Sequence, residues 1–212
     1  PRQVSSAASD VYKRQIKDPA AYEFCYQPTL WPKIDEFKKT WATYYAAMED
    51  LAKRIMAAFA EALGLESSYF DRFISNPISA LRALHYPTTT DAIIEKQQRA
   101  GAHTDYGSLT ILLPQVGTTG LQIKKKNSWI DVPALEDCLI INIGDLMELW
   151  TAGRWVSTLH RVIARPNQPP RKSLAYFHQP DWDSIINPIN SDNYESVVSG
   201  PYLMDKFKST NL

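Results

Sequence analysis

The sequence contains few of the residues that stabilise small secreted domains. Its 212 residues include only two cysteines, Cys25 and Cys138, which lie far apart and form no C-x-x-C pair. Cys138 begins the apolar run CLIINI, so we expect it to be a buried thiol. Cysteine usage of this kind is typical of a reducing compartment, and the sequence therefore predicts a cytoplasmic protein without structural disulfides.

Long apolar stretches and an excess of either charge are also missing. Lysine plus arginine and aspartate plus glutamate number 23 each, which excludes the basic excess that is typical of nucleic-acid-binding domains. The run Lys124–Lys126 is short and is interpreted as the solvated tip of a hairpin. No signal peptide is recognised, and no apolar run reaches the roughly 20 residues of a membrane-spanning helix. The sequence predicts no nucleic-acid or membrane partner and leaves the oligomeric state open.

The first fifteen residues show no apolar periodicity and are interpreted as foreign to the fold. From Ser5 to Gln15 they resemble the in-frame translation of a transposon-end adapter used to prepare sequencing libraries. The alternative interpretation is a native disordered arm. We exclude this artefactual or disordered tail from the fold prediction, and we expect the protein's own sequence to start near Ile16 and to be truncated upstream.

Residues 16–77 predict a helical segment. Between Pro32 and Leu63 the apolar residues recur at steps of three and four, the pattern of one amphipathic helix or of two helices broken within it. Pro32 suits the first helical position, and Gly64 suits the position after the helix ends. The stretch ESSYFDRF predicts a short second helix.

Residues 78–180 change to a β pattern. Seven short runs, separated by turn residues, are rich in β-branched and aromatic side chains: ALRALHYP, SLTILLP, GLQIKK, SWIDVP, CLIINI, WVSTLHRVIA and KSLAYFHQ. Such a series predicts an all-β sandwich or barrel. GDLMELWTAGR predicts a loop or short helix between two of the strands. Residues 181–212 are expected to form a C-terminal extension that ends in a helix over GPYLMDKFKST.

One imidazole and one carboxylate lie directly ahead of a predicted strand. His103 and Asp105 are two residues apart in GAHTDYGSLTILL, a spacing that directs both side chains to one face of an extended chain. A third ligand is offered by His160, in the later run STLHRVIA. Two histidines and one carboxylate from opposite strands of a barrel form a facial triad, which leaves three coordination positions open and suits non-haem Fe(II) chemistry.

A second polar pair, Arg171 and Ser173, has the same spacing in RKSLAYF. A guanidinium matches the geometry of a carboxylate, and a hydroxyl can add a further hydrogen bond. The charges of Fe(II), Asp105, Arg171 and a bound 2-oxoglutarate dianion cancel, which matters in a desolvated pocket because an unpaired charge there is costly. The pair therefore favours a dicarboxylate cosubstrate beside the iron.

These motifs resemble, in their order and separation, those of the isopenicillin N synthase-like family of 2-oxoglutarate- and Fe(II)-dependent oxygenases. The similarity runs from about Glu23 to the C-terminus and includes LRALHYP, GAHTDYGSLTILL, GLQI, WIDVP, NIGDLMELWTAGR, STLHRV and RKSLAYF. It implies a mainly β protein with helices, a double-stranded β-helix (a jelly-roll or cupin-like barrel) with a long supporting helix. It also implies a further upstream segment, without which we expect the chain to be poorly soluble or only marginally folded.

The resemblance implies roles for six residues. The implied iron ligands are His103, Asp105 and His160. Arg171 and Ser173 would bind the distal carboxylate of 2-oxoglutarate, and Tyr86 matches a tyrosine that contacts the cosubstrate or, in an oxidase branch, the substrate carboxylate. The implied reaction uses O₂ to hydroxylate, desaturate or cyclise a small-molecule substrate, while 2-oxoglutarate becomes succinate and CO₂.

Other interpretations of the same motifs stay open. An oxidase of this fold would take all its electrons from the substrate and use no 2-oxoglutarate. A non-catalytic metal-binding or sensor module could share the barrel. Halogenating relatives lack the carboxylate ligand, so the presence of Asp105 disfavours halogenation.

Further polar residues receive weaker assignments. His85 is expected on the strand face opposite Tyr86 and is a poor ligand candidate, and His178 is expected beside the pocket or at the surface. Asn142 and Asp145 are expected to serve turns and packing. The residues expected to line the substrate cavity are Leu112 and Gln122.

Overall fold

The computed structural model describes residues 18–88, 98–191 and 193–210. Residues 1–15, interpreted above as an adapter remnant, lie outside the described residues. Within the described ranges, no helix is both long enough and apolar enough to pass through a lipid bilayer.

The helical segment consists of a short helix α1, Pro19–Cys25, and a long helix α2, Phe37–Ala62. The prediction that the long helix begins at Pro32 is wrong. Glu36 adopts a left-handed backbone with φ of 60°, which an α-helix does not contain, so the chain enters the helix only at Phe37. The predicted end is confirmed, because Leu63 caps the helix and Gly64 follows in the left-handed conformation at φ of 74°.

The stretch ESSYFDRF does not form the predicted α-helix. It contains turns and a three-residue 3₁₀ helix, Asp71–Phe73. Phe70 and Phe73 pack edge-on against Trp150, with ring centroids 4.8 and 5.0 Å from that of the tryptophan. Hydrogen bonds between residues three apart and aromatic packing on Trp150 therefore order this stretch, without the bonds of an α-helix.

The β-strands form two four-stranded sheets and a small two-stranded one, and all the pairs are antiparallel. The first sheet has the order β1-β8-β3-β6, and the second has the order β2-β7-β4-β5. The strands in the described residues are β1 Ala80–Tyr86, β2 Gln98–His103, β3 Leu109–Pro114, β4 Leu121–Lys125, β5 Ser128–Asp131, β6 Ile140–Ile143, β7 His160–Ile163, β8 Arg171–His178, β9 Ile185–Ile186 and β10 Val197–Val198. The two four-stranded sheets enclose a cavity, as expected for a double-stranded β-helix.

Two further helices lie where the sequence predicts them. Helix α3, Asp145–Trp150, connects β6 with the segment that leads to β7, and helix α4, Ser199–Thr210, ends the described chain. The β4–β5 hairpin is also confirmed, with Lys126 in its turn at φ of 52°. Cys138, in contrast, is exposed, because it lies in the loop before the edge strand β6, and the prediction of a buried thiol is wrong.

Alternating side chains of β8 separate the cavity from the protein core. Arg171, Ser173, Ala175 and Phe177 line the cavity between the sheets. Tyr176, on the other face of the strand, is fully buried against α2, and its ring centroid lies 5.3 Å from that of Tyr45. The long helix therefore supports the sheet from outside and leaves the inner face available for a site.

The start of α3 lies unusually close to the loop after β2. A Cβ on Gly144 would lie 2.3 Å from the carbonyl oxygen of Gly107 and 2.9 Å from that of Asp105. The close approach allows the amide of Asp145 to donate a hydrogen bond to the Asp105 carbonyl at 2.8 Å. Only glycine fits at this position without a backbone shift.

We expect Gly144→Ala to destabilise the protein by about 1–3 kcal/mol, because the added methyl group meets backbone atoms that have little room to move. Gly101→Ala is the matched control, since a Cβ there meets nothing within 4 Å, and its effect should stay within about 0.5 kcal/mol. Equilibrium unfolding in urea measures both changes. Equal midpoints for the two variants would contradict this account of the contact.

Candidate active site

The β2–β7 pair of the second sheet and the loop after β2 bring His103, Asp105 and His160 together inside the barrel mouth. His103 ends β2 and is the direct cross-strand partner of His160, which begins β7. The imidazole centroids lie 4.3 Å apart, and His160 Nε2 is 3.8 Å from Asp105 Oδ1. One donor atom from each of the three residues lies within 4.8 Å of the others. The structure thus collects three ligands from two segments that are distant in sequence.

Backbone carbonyl groups orient both imidazoles. His103 Nδ1 hydrogen-bonds the carbonyl oxygen of Gly101 at 2.7 Å, and His160 Nδ1 hydrogen-bonds that of Thr158 at 2.8 Å. Because a carbonyl only accepts, the Nδ1 atom of each ring is the hydrogen-bond donor. Nε2 of both rings is then available as a metal ligand, an arrangement that is general among metal-binding histidines.

Two hydrogen bonds hold the carboxylate of Asp105, which is only 7% exposed. Thr110 Oγ1 donates to Asp105 Oδ2 at 2.6 Å, and Asn142 Nδ2 donates to the same oxygen at 2.8 Å. Thr110 and Asn142 are cross-strand partners on β3 and β6, so the sheet register places both donors beside the carboxylate. Oδ1 remains for an ion. The expectation that Asn142 serves turns and packing is wrong, since its side chain positions Asp105.

The donor set fits a divalent transition metal. Two imidazoles and one carboxylate supply three ligands from one side, with one donor atom of each residue within 4.8 Å of the others. Three coordination positions stay open toward the cavity in such a facial triad.

A buried guanidinium lies deeper in the same cavity. Arg171 is 3% exposed and Ser173 is 6% exposed, both on the inner face of β8. Burial lowers the pKa of Arg171, but an arginine stays charged even so. Within the described residues, no carboxylate forms an ion pair with Arg171. A buried cation without an anion is unfavourable, so this end of the cavity suits an anionic ligand.

Tyr86 faces Arg171 across the β1–β8 pair. The guanidinium carbon of Arg171 lies 5.3 Å from the centroid of the Tyr86 ring. Burial raises the pKa of Tyr86, an effect that the nearby charge and hydrogen bond of Arg171 partly offset. Tyr86 therefore remains a neutral phenol that can donate a hydrogen bond at physiological pH.

The cavity has a volume of about 300 Å³ and contains all six residues for which the resemblance implies a role. Leu112 lines it as predicted. Gln122 does not, because Leu121 and Ile123 occupy the inward positions of β4. Gln122 faces the other way, where its amide contacts Asp131 and Arg161.

The remaining histidines lie outside the cavity. His85 is exposed on the face of β1 opposite Tyr86, as predicted. His178 is 2% exposed, and its Nδ1 lies 2.6 Å from Ser108 Oγ. Burial lowers the pKa of His178 to about 4. The expectation that His178 borders the pocket or lies at the surface is wrong. Its side chain lies on the face of β8 that points away from the cavity, and that position is buried.

Asp145 links the site to the C-terminal helix. Its Oδ2 accepts a hydrogen bond from Lys206 Nζ at 2.8 Å, and its amide donates to the Asp105 carbonyl. Burial lowers the pKa of Lys206, but its hydrogen bond with Asp145 and the contact with Tyr202 outweigh that effect and raise it. Asp145 thus serves packing, as predicted, through an ion pair that fastens α4 beside the triad.

We expect Thr110→Val to weaken metal binding about 10- to 100-fold, because it removes one of the two hydrogen bonds that orient Asp105. Thr118→Val is the control, since it also loses a hydroxyl hydrogen bond, to the Gln115 carbonyl, but far from the triad. Isothermal titration calorimetry with Mn(II) measures the metal affinity of each variant. Equal affinities for the two variants would show that the Thr110 hydroxyl does not support the carboxylate.

Known proteins resemble this chain in sequence and in fold. The sequence profile of the 2OG-Fe(II) oxygenase superfamily matches residues 77–180. The 2-oxoglutarate-dependent dioxygenases thnC of Trichoderma harzianum and caaD of Aspergillus niger are 31% and 34% identical over 95% and 85% of this chain. The chain spans 63% and 56% of these two relatives.

A solved structure gives the same assignment. A full-length Neurospora crassa protein, crystallised in complex with alpha-KG and thymine, superposes with a TM-score of 0.83. Its sequence is 33% identical, and the match covers 92% of this chain and 70% of that one. Sequence profile, relatives and fold agree with the triad described above, and the chain therefore belongs to the 2OG-Fe(II) oxygenase superfamily.

Proposed function

We propose that the protein is a 2-oxoglutarate- and Fe(II)-dependent dioxygenase that hydroxylates, desaturates or cyclises a small-molecule substrate. One observation carries the proposal: a three-residue metal site and a buried arginine without a carboxylate partner among the described residues face the same cavity. The first suits a divalent iron and the second suits an anion, so the cavity has complementary groups for a metal and an acidic cosubstrate.

His103, Asp105 and His160 would hold the iron. Bound iron and 2-oxoglutarate supply the oxidation chemistry, in which O₂ converts 2-oxoglutarate to succinate and CO₂ while a C–H bond of the substrate is oxidised. The protein's part is to bind and to orient. The carbonyls of Gly101 and Thr158 bind Nδ1 of the two imidazoles and leave Nε2 as the ligand atom, and two hydrogen-bond donors orient the Asp105 carboxylate.

Arg171, Ser173 and Tyr86 would bind the distal carboxylate of 2-oxoglutarate. A guanidinium can pair with both carboxylate oxygens, and the two hydroxyl groups can each donate a further hydrogen bond. The charges also balance. Ferrous iron and Arg171 together carry three positive charges, and Asp105 and the 2-oxoglutarate dianion together carry three negative ones. A neutral total is what a buried site requires.

Much of the cavity wall is apolar. The apolar residues that line it include Leu84, Leu112, Leu121, Val162 and Ala175. They exclude water from the space that the cosubstrate would fill, which strengthens the electrostatic contacts made there and protects reactive species from side reactions.

An oxidase of the same fold is the alternative that shares most of these features. Its arginine would bind the substrate carboxylate, and no 2-oxoglutarate would be consumed. One succinate released for each substrate oxidised supports the proposal, and substrate oxidation without succinate supports the oxidase. A non-catalytic metal-binding module would take up no O₂ with any candidate substrate.

We also propose that the protein works in a reducing compartment such as the cytoplasm. Both cysteines are unpaired, and burial raises the pKa of the Cys25 thiol to about 12, so Cys25 is largely unreactive at neutral pH. Dithiothreitol should leave the melting temperature unchanged if this proposal is correct, and a lower melting temperature in its presence would contradict it.

We expect Arg171→Gln to weaken 2-oxoglutarate binding strongly while the affinity for the metal stays nearly constant. Removing one partner of a buried charge pair costs about 2–5 kcal/mol, which corresponds to a loss of roughly thirty-fold to several-thousand-fold in affinity. Anaerobic calorimetry with the Fe(II)-loaded protein measures both constants.

Lys172→Gln is the matched control. Lys172 is the neighbour of Arg171 on the same strand and carries the same charge, but its side chain is exposed on the outer face. Its replacement should change 2-oxoglutarate affinity less than about twofold, since exposed charges interact weakly. If Arg171→Gln behaves like this control, Arg171 does not bind the cosubstrate, and the proposed function loses its main support.

A further inference from the structure

A second cavity opens next to the metal site, toward the C-terminal helix α4. It has a volume of about 450 Å³, within the range of small-molecule sites. His103 and Asp105 contribute to its wall, so a molecule held there would lie beside the metal. Its other walls are largely apolar, with Ile78, Phe177 and Leu203 among them. The residues around Arg171 belong to the first cavity and do not line this one.

Arg82 lies at the junction of the two cavities and lines both. On β1 it faces the same way as Tyr86 but is four residues away, about 13 Å along the strand. Its cross-strand partner is Ala175, whereas that of Tyr86 is Arg171. Arg82 and Arg171 both line the first cavity, but they enter it at different positions along the β1–β8 pair, and only Arg82 also lines the second cavity.

The guanidinium of Arg82 has no acidic partner among the described residues. Its carbon lies 5.6 Å from the centroid of the Phe177 ring, and no hydrogen bond or ion pair to a described residue is made. The side chain is half-buried, so its contact with water is restricted. Lys206, on the adjacent helix α4, is already paired with Asp145. Arg82 is thus the positive charge that the second cavity offers to a ligand.

Gln179 supplies a further polar group. It is 5% exposed and lines the second cavity, and its side-chain amide makes no hydrogen bond within the described residues. An amide can donate to one oxygen of a carboxylate while a guanidinium pairs with the other. Thr104 and Thr210 complete the polar part of the wall.

We propose that the substrate is a monocarboxylate with an apolar or aromatic body, held in the second cavity by Arg82. This inference rests on the proposed function, because the metal, Asp105, 2-oxoglutarate and Arg171 already sum to zero charge. One more positive charge, that of Arg82, is then balanced by one negative charge on the substrate. A phosphate dianion would leave one negative charge without a cationic partner in this cavity.

The test compares acids with their uncharged counterparts in Arg82→Gln and wild-type protein. The probes are phenylacetate, 3-phenylpropionate and hexanoate, each paired with its primary amide, together with benzylphosphonate. The protein carries Zn(II), which is redox-inert, and saturating 2-oxoglutarate, which occupies the end near Arg171. Ligand-detected NMR gives the relative affinities, and the same samples report whether 2-oxoglutarate is bound.

Wild-type protein should bind at least one acid about tenfold or more tightly than its amide, as expected for a charge-assisted pair. Arg82→Gln should reduce that preference to less than about twofold on the same scale, with 2-oxoglutarate binding unchanged. Lys208→Gln is the control, because Lys208 lies on α4 with its side chain 68% exposed. That variant should keep the wild-type preference.

Four results would overturn the inference. The first is the absence of any preference for acids, and the second is a preference that persists in Arg82→Gln. The third is tighter binding of the phosphonate than of every carboxylate. The fourth is loss of 2-oxoglutarate binding in Arg82→Gln, which would assign Arg82 to the cosubstrate. Failure of wild-type protein to bind 2-oxoglutarate would instead count against the proposed function. The effect of Arg82→Gln on the preference for acids over amides is measured independently of that result.

Discussion

The antiparallel pairing of β2 with β7 is the constraint on which the rest of the site depends. It sets His103 directly opposite His160, so that two residues far apart in sequence supply adjacent ligands. Asp105 follows His103 by two residues and reaches the same point. A shift of one residue in this register would turn one imidazole to the other face of the sheet. The barrel therefore matters for function chiefly because its strand pairing fixes this register.

The distribution of charge explains how polar groups can lie between two sheets. Asp105 is buried, but its carboxylate has two hydrogen-bond donors and lies beside a site for a cation. Arg171 lines the first cavity and Arg82 lines both, and neither has a carboxylate partner among the described residues. The interior therefore offers two positive charges to anionic ligands. Lys206, in contrast, is paired with Asp145 and fastens α4 at the rim. Lys206, which serves structure, is paired, whereas Arg171 and Arg82, which face the cavities, are available to bind a ligand.

Local patterns in the sequence predict the parts of the molecule that depend on local chemistry. The two-residue spacing of His103 and Asp105 indicates a shared face, and the β runs indicate a barrel. Asn142 shows the limit, because its contact with Asp105 follows from the β3–β6 register, which no single segment encodes. The burial of His178 and the exposure of Cys138 depend in the same way on which strand faces are covered and which strands are edges. The resemblance to a known family predicts the fold, but only the strand register in the structure identifies residues such as Asn142 that support the site.

A crystal structure of the protein grown anaerobically with Fe(II) and 2-oxoglutarate tests the central claim most directly. The account predicts one ion within about 2.0–2.2 Å of Nε2 of His103 and His160 and of Oδ1 of Asp105, taking zinc–ligand distances as a guide. It also predicts the distal carboxylate of 2-oxoglutarate on Arg171, with Ser173 and Tyr86 beside it. An ion bound through other atoms, or 2-oxoglutarate held away from Arg171, would contradict the account.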